Sequence, residues 1–158
     1  MSALVDFLRA RLAEDEQVAR DAASKAAATL ASAAAKEGVW EPPYTDVGLT
    51  WASDYDRVFV TCGRPGQPGL AMLADCGSGA FRLTPHIARH DPARVLAEVR
   101  AKRMAVDAHS ACGTGIGRCD DAGNGWEDDD GQAGGCADLA VLALPFADHP
   151  DYREEWKP

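Results

Sequence analysis

The chain has 158 residues, of which 46% are hydrophobic and 26% are charged, and its formal net charge is −9. This composition is typical of a folded domain and excludes an intrinsically disordered chain. The excess of acid disfavours direct binding to nucleic acid, which requires clustered lysine and arginine. No run of residues approaches the ~20 apolar positions of a membrane span, and the first residues do not form a secretory signal.

The cysteine content points to free thiols or to metal ligands. Because no secretory signal is recognised, we expect a cytoplasmic protein, and stable disulfides are rare in that compartment. The chain has five cysteines, and an odd number cannot pair completely within one chain.

Residues 2–36 are predicted to form one long helix. Its second half, residues 22–35, is rich in alanine, which has the highest helix propensity. A helix of this length measures about 50 Å, more than a small domain can cover. We therefore expect its second half either to pair with another chain or to break and fold back. In the first case, a protein partner or a second copy of this chain binds through this helix. Its predicted apolar face comprises Leu4, Phe7, Leu8, Leu12, Val18, Ala22, Ala26 and Leu30.

The next segment is predicted to form a small antiparallel meander. Residues 58–62 and 70–74 are short apolar or β-branched runs, and a turn rich in glycine and proline separates them. Residues 49–51 and 80–83 are candidate outer strands. Cys62 and Cys76 belong to this region, and we expect both to be buried thiols.

Two helix starts follow, because Thr84-Pro85 and Asp91-Pro92 each place a capping side chain before a proline. The first helix is predicted to be short, and the second to run from residue 92 to about 109. After a glycine-rich and acidic loop, residues 137–144 form an apolar segment, and residues 148–156 form a terminal turn or ordered tail.

A histidine and three cysteines in and around that loop have the ligand types of a zinc site. His109 and Cys112 are separated by two residues at a helix end, a spacing that suits chelation, and Cys119 and Cys136 complete a Cys₃His set. Four protein ligands imply a structural site rather than a catalytic one. The alternative is that these are free cysteines in a flexible loop.

Three other patterns are weaker indications of a binding site. The acids of residues 120–130 do not match a calcium-binding EF-hand loop, because Ala122 and Gly131 occupy required ligand positions. His86 and His90 share a helix face but lack the glutamate of a zinc protease. The glycines of residues 113–117 follow a helix rather than a strand and lack the lysine of a phosphate-binding loop, so we expect them to be flexible.

Residues 5–16, 86–103 and 142–156 together resemble DUF6221, a family of actinobacterial and actinophage proteins of unknown function. The resemblance implies a cytoplasmic protein of such an organism, and it implies no activity. It also implies a histidine after the Lys-Arg helix followed by cysteines, and His109, Cys112, Cys119 and Cys136 stand in similar places. Gly135 replaces an expected proline and the acidic loop is longer, so His149 is considered as a substitute for Cys136.

The sequence thus predicts an α+β fold: a long N-terminal helix, a small antiparallel β-meander and C-terminal helices with a zinc-stapled loop. Residues 1–37 form the helix and residues 38–158 the α+β part of a single globular unit. The predicted function is that of a non-catalytic interaction or regulatory protein with a structural zinc. The alternatives are a metal-dependent hydrolase with an incomplete ligand set, and a phage-type inhibitor or acidic mimic.

Overall fold

The protein has the predicted α+β fold, with a long N-terminal helix, a three-stranded antiparallel sheet and C-terminal helices. The computed structural model describes residues 2–37, 49–62, 69–76, 82–120, 125–127 and 133–158. The elements in chain order are α1 (Ala3–Glu37), β1 (Leu49–Asp54), β2 (Arg57–Cys62), β3 (Gly69–Asp75), α2 (Thr84–Arg89), α3 (Pro92–Ala108), β4 (Gly125–Glu127), β5 (Ala133–Cys136) and α4 (Ala137–Ala143), followed by short 3₁₀ helices at Leu144–Phe146 and Glu154–Trp156.

The chain is divided into two compact units. The first comprises Met1–Asp15 together with Glu98–Pro158, and the second comprises Glu16–Ala97. Helices α1 and α3 each contribute residues to both units. The division into a helix of residues 1–37 and an α+β part within a single globular unit stays a prediction.

Helix α1 is unbroken from Ala3 to Glu37. In the second unit, Ala26 and Leu30 pack with Val60 of β2 and Ala71 of β3. The second half of the helix therefore covers the chain's own sheet, an arrangement that differs from both expected outcomes, while self-association stays a prediction. Its buried positions follow helical spacing throughout: Leu4, Val5, Phe7, Leu8, Leu12, Ala19, Ala26 and Leu30.

One position of the predicted apolar face of α1 is wrong. Val18 is 70% exposed, whereas Ala19 is 4% exposed. The acids Asp15 and Glu16 interrupt the apolar pattern just before this point, and after them the inward face continues from Ala19 rather than from Val18.

The sheet of the second unit has the order β1-β2-β3 with antiparallel pairing, as predicted. A two-residue turn joins β1 to β2, and its first residue, Tyr55, has a φ of 54°. Val58 and Val60 of β2 are fully buried. Of the predicted fourth strand, Arg82 and Leu83 instead form the turn before α2, and residues 80–81 lie outside the described residues.

Two predictions about side chains in this unit are wrong. Thr84 does not cap α2 with its side chain; it is fully buried, and its hydroxyl donates a 2.6 Å hydrogen bond to the Tyr55 carbonyl oxygen. Cys76 is an exposed free thiol rather than a buried one, because it lies just beyond the end of β3. The side chain of Cys62 lies outside the described residues. The predicted cap of α3 is confirmed, since the Asp91 carboxylate accepts a 2.8 Å hydrogen bond from the Arg94 N–H.

The first unit holds the start of α1 and the elements that carry Cys112, Cys119 and Cys136. The carboxylate of Asp107, near the end of α3, pairs with Arg9 of α1 at 2.8 Å. Within the described ranges, no helix has both the length and the apolar character that crossing a membrane requires. Besides residues of α1, the buried apolar side chains of the first unit are Val99 and Val106 of α3, Leu139, Ala140 and Ala143 of α4, and Trp156.

Candidate metal centre

His109 is positioned by the end of α3. Its N–H still donates to the Ala105 carbonyl at 3.1 Å, so the residue completes the last helical turn. The Ser110 hydroxyl donates to the Asp107 carbonyl at 2.8 Å and satisfies one of the free carbonyls of the helix end. The N–H of Cys112 then donates to the His109 carbonyl at 3.0 Å. This tight turn brings Cys112 back beside the imidazole.

The glycine-rich segment between Cys112 and Cys119 is closed by one carboxylate. Asp120 accepts hydrogen bonds from the N–H groups of Gly113 at 2.7 Å, Gly115 at 2.7 Å and Gly117 at 2.8 Å. These N–H groups, that of Gly113 first, hold the pKa of Asp120 below its usual range. The segment predicted to be flexible therefore has a defined, hydrogen-bonded conformation.

Cys136 reaches the same place from the other side of the acidic loop. It is the last residue of β5 and the residue immediately before α4. Strand β5 pairs with β4 in a two-stranded antiparallel sheet. Three residues of α4, Leu139, Ala140 and Ala143, are buried and hold the start of this helix in the first unit.

The four residues that the sequence singled out lie together. The Nδ1 atom of His109 is 3.7 Å from the sulfur of Cys112, 3.2 Å from that of Cys119 and 3.4 Å from that of Cys136. The sulfurs of Cys119 and Cys136 are 3.7 Å apart. All four ligand atoms lie within 4.8 Å of one another. The cluster is thus built from one nitrogen and three sulfur atoms.

These separations match the edges of a tetrahedron around a metal ion. Zinc–sulfur bonds of about 2.3 Å and zinc–nitrogen bonds of about 2.0 Å place neighbouring sulfurs about 3.8 Å apart and sulfur and nitrogen about 3.6 Å apart. A disulfide would require a sulfur–sulfur distance of about 2.05 Å, so the Cys119 and Cys136 thiols are not bonded to each other. The arrangement can hold a metal ion.

The electrostatics of the cluster favour a cation. Cys119 and Cys136 are only 6% and 3% exposed, while Cys112 is half-buried. Burial first, and then the neighbouring thiols of Cys136 and Cys112, raise the pKa of the Cys119 thiol to about 12. Burial also raises the pKa of Cys136, against the opposing effect of the Leu139 N–H at the start of α4. Three thiolates this close repel one another unless a cation lies between them.

Asp138 adds a carboxylate at the edge of the cluster. Its Oδ2 atom is 3.5 Å from Nδ1 of His109 and 3.7 Å from the sulfur of Cys119. Its side chain is 65% exposed, so this edge faces solvent. The carboxylate increases the negative charge next to the cluster and favours a divalent cation there.

The other candidate ligands do not join this cluster. His149, considered as a substitute for Cys136, lies outside this cluster: its Nδ1 accepts a hydrogen bond from the Asp151 N–H at 3.1 Å, and its ring packs against Phe7 at 5.8 Å. His86 and His90 are exposed on α2, with ring centroids 4.4 Å apart, and no third ligand accompanies them among the described residues.

The sequence reasoning missed Asp120 as the residue that shapes the site. It was counted with the acids of the loop, whereas the structure makes it the acceptor for three glycine N–H groups. The signal was a glycine at every second position, 113, 115 and 117, followed three residues later by an aspartate. This pattern lets the N–H groups of alternate residues converge on one carboxylate.

Comparison with known proteins identifies the family. The family model DUF6221, described as a family of unknown function, matches residues 1–158. The chain belongs to the DUF6221 family. The match spans all four residues of the cluster, and it confirms the resemblance seen in the sequence. No curated protein and no solved structure matches this DUF6221 chain.

We expect metal binding by this DUF6221 protein to weaken as the pH falls. Because burial raises the pKa values of Cys119 and Cys136, these two thiols are protonated before a metal ion binds, and the ion must displace their protons. Each displaced proton changes the apparent affinity about tenfold per pH unit, so two protons change it about a hundredfold per pH unit. Competition with a chromophoric chelator between about pH 6 and pH 8 measures this slope. An affinity that is flat across the range would contradict thiolate ligation.

Asp120→Asn is expected to weaken metal binding about tenfold to a hundredfold, as is usual for residues that orient metal ligands. The amide loses the negative charge and turns an N–H₂ group towards backbone donors, which loosens the turn between Cys112 and Cys119. Asp148→Asn is the matched control, because Asp148 is exposed in the C-terminal segment. Affinities equal for the two variants would show that the carboxylate does not shape the site.

Proposed function

We propose that His109, Cys112, Cys119 and Cys136 bind one zinc ion, and that this zinc is structural. The observation that carries the proposal is the convergence of one nitrogen and three sulfur atoms within 4.8 Å. Soft thiolates with an imidazole select zinc over magnesium and calcium, which take oxygen ligands. A tetrahedral Cys₃His set is a common zinc ligand set in small domains.

A zinc at this position would stabilise the first unit by linking distant parts of the chain. His109 follows α3, whereas Cys136 precedes α4, and the two are 27 residues apart in sequence. The intervening segment contains a glycine-rich turn and a two-stranded sheet with little apolar material of its own. Binding energy from four metal–ligand bonds would therefore serve as folding energy for this region.

The biological role that we propose is that of a non-catalytic interaction or regulatory protein, in the cytoplasm, where free thiols persist. A protein partner or a second copy bound through α1 is part of this proposal. Light scattering of the full chain with zinc bound would measure its mass and test self-association directly.

The metal-dependent hydrolase is the weaker alternative. Catalytic zinc keeps a position for water and uses three protein ligands, whereas this cluster offers four. For the third candidate, the phage-type inhibitor or acidic mimic, no observation on the described residues adds support.

Cobalt substitution separates the structural from the catalytic role. The cobalt-loaded full chain is expected to show the strong visible bands of tetrahedral thiolate coordination, unchanged by added azide or cyanide, because no ligand position is open. A spectrum that shifts with azide, or that titrates near neutral pH as a bound water would, supports the hydrolase instead.

A further inference from the structure

A second candidate site lies in the first unit, away from the cysteines, between the start of α1 and the C-terminal segment. It is a pocket of about 430 Å³. That volume falls in the range of small-molecule sites, about 300–1,000 Å³. Three aromatic side chains line it, those of Phe7, Tyr152 and Trp156, together with two guanidinium groups, those of Arg11 and Arg153.

The aromatic rings form one connected cluster. The ring centroid of Phe7 is 6.1 Å from that of Tyr152 and 5.0 Å from that of Trp156, and the latter two are 5.8 Å apart. Phe7 and Trp156 are 7% and 8% exposed. Such a cluster gives the pocket a rigid apolar wall suited to a flat ring.

Arg11 is unusual because its guanidinium is buried. The residue is 9% exposed, and the guanidinium carbon lies 5.5 Å from the centroid of the Phe7 ring. Its Nη2 atom pairs with Glu14 at 2.9 Å, but the Glu14 side chain is 62% exposed. A second guanidinium, that of Arg153, lies 5.4 Å from the centroid of Trp156. Arg153 also pairs with Glu155 at 3.3 Å, so two cations, each paired with an exposed carboxylate, lie against the aromatic cluster, and Asp151 also lines the pocket.

Two polar atoms of this pocket lack partners. The Nε–H of Arg11 and the hydroxyl of Tyr152 are both closed to solvent and have no hydrogen-bond partner among the described residues. Buried donors without acceptors are rare because they lose their hydrogen bonds to water. A ligand oxygen within reach of these two donors would replace the hydrogen bonds to water that burial removed. Small rotations of the two side chains would bring the donors towards it.

We propose that this pocket binds a small carboxylate that carries a flat apolar ring. The carboxylate accepts hydrogen bonds from Arg11 and from the Tyr152 hydroxyl, and the ring packs against Phe7 and Trp156. A guanidinium prefers a carboxylate because its N–H groups match two oxygens. The same chemistry occurs in a free aromatic acid and in a peptide that ends in an aromatic residue.

The test titrates the zinc-loaded full chain with benzoate, while the Nε–H resonances of its arginines are followed by nuclear magnetic resonance. The Arg11→Lys variant identifies the Arg11 signal by its loss. We expect benzoate to shift that signal saturably, with a dissociation constant of about 1 mM or lower, and benzamide and acetate to shift it far less. N-acetyl-phenylalanine compared with benzoate reports whether a peptide terminus binds more tightly than a free aromatic acid, and the amide of N-acetyl-phenylalanine is the control for the carboxylate.

Three variants complete the test, with binding of benzoate measured by calorimetry. Tyr152→Phe removes only the hydroxyl and Arg11→Lys keeps the charge, and each is expected to weaken binding about tenfold. Arg20→Lys is the control on the same helix, since Arg20 pairs with Glu16 outside the pocket, and it should bind as the parent does. Equal responses to benzoate and benzamide, unchanged binding by Tyr152→Phe, or no binding of any probe overturn the proposal.

Discussion

Cys119→Ser is expected to lower the melting temperature of the zinc-loaded protein by about 10 °C or more, which corresponds to roughly 3–5 kcal/mol for a chain of this size. Cys119 is a buried member of the cluster: its sulfur is 3.2 Å from the His109 nitrogen and 3.7 Å from the Cys136 sulfur. Structural zinc contributes about 10–16 kcal/mol of apparent binding energy in small zinc-dependent folds, so loss of one thiolate removes a large share.

Cys76→Ser is the matched control. Cys76 is an exposed free thiol outside the cluster, so its replacement should shift the melting temperature by less than about 2 °C. Thermal unfolding followed by circular dichroism, with zinc content measured on the same samples, makes the comparison. Equal shifts for the two variants would mean that Cys119 contributes no more to stability than a surface thiol.

Gly117→Ala is expected to reduce metal affinity about a hundredfold or to prevent metal binding altogether. A Cβ atom at this position would lie 2.3 Å from Cα of Cys112 and 2.5 Å from the carbonyl oxygen of Ala111. Both are backbone atoms, so they cannot move aside as the end of a flexible side chain could. The chain around Cys112 must shift, and its sulfur moves away from the other ligands.

Gly115→Ala separates this steric effect from ordinary backbone strain. Gly115 has a φ of +85°, which costs a residue with a side chain about 1–2 kcal/mol, but no atom lies within 4 Å of the added Cβ. We expect this variant to lose less than about tenfold in metal affinity. Chelator competition at one pH ranks the two variants. If Gly115→Ala were the more damaging, close approach of Gly117 to Cys112 would not be what shapes the site.

The regular elements were accessible from sequence because local properties determine them. Alanine-rich composition with apolar spacing predicted α1, and β-branched runs around a glycine-proline turn predicted the pairing of β2 with β3. The aspartate before Pro92 predicted the start of α3, and its carboxylate makes the expected cap. In each case the signal and the structure that it describes lie within a few residues of each other.

The four residues of the cluster were also named from sequence, for a chemical reason. Few residue types ligate zinc, and a histidine and three cysteines near one loop leave few ways to combine them. What remained open was the fourth position. The structure places Cys136 there, at the start of α4, while His149 packs on Phe7 instead.

Three of the errors depend on where the fold places a residue, which local spacing does not determine. The hydroxyl of Thr84 reaches the Tyr55 carbonyl across 29 positions. Cys76 is exposed because of where β3 ends, and Val18 because the buried face of α1 is set by the elements that pack on it. Asp120 differs, because its partners are near in sequence: the glycines at positions 113, 115 and 117 predicted only a flexible loop, whereas their N–H groups converge on this carboxylate.

X-ray absorption at the zinc edge of the purified protein would identify the atoms that surround the metal. We predict one zinc per chain, coordinated by three sulfur atoms at about 2.3 Å and one nitrogen at about 2.0 Å, with no oxygen neighbour. A protein that is folded and free of metal after purification in zinc-containing buffer, or a zinc surrounded by oxygen and nitrogen, would contradict it.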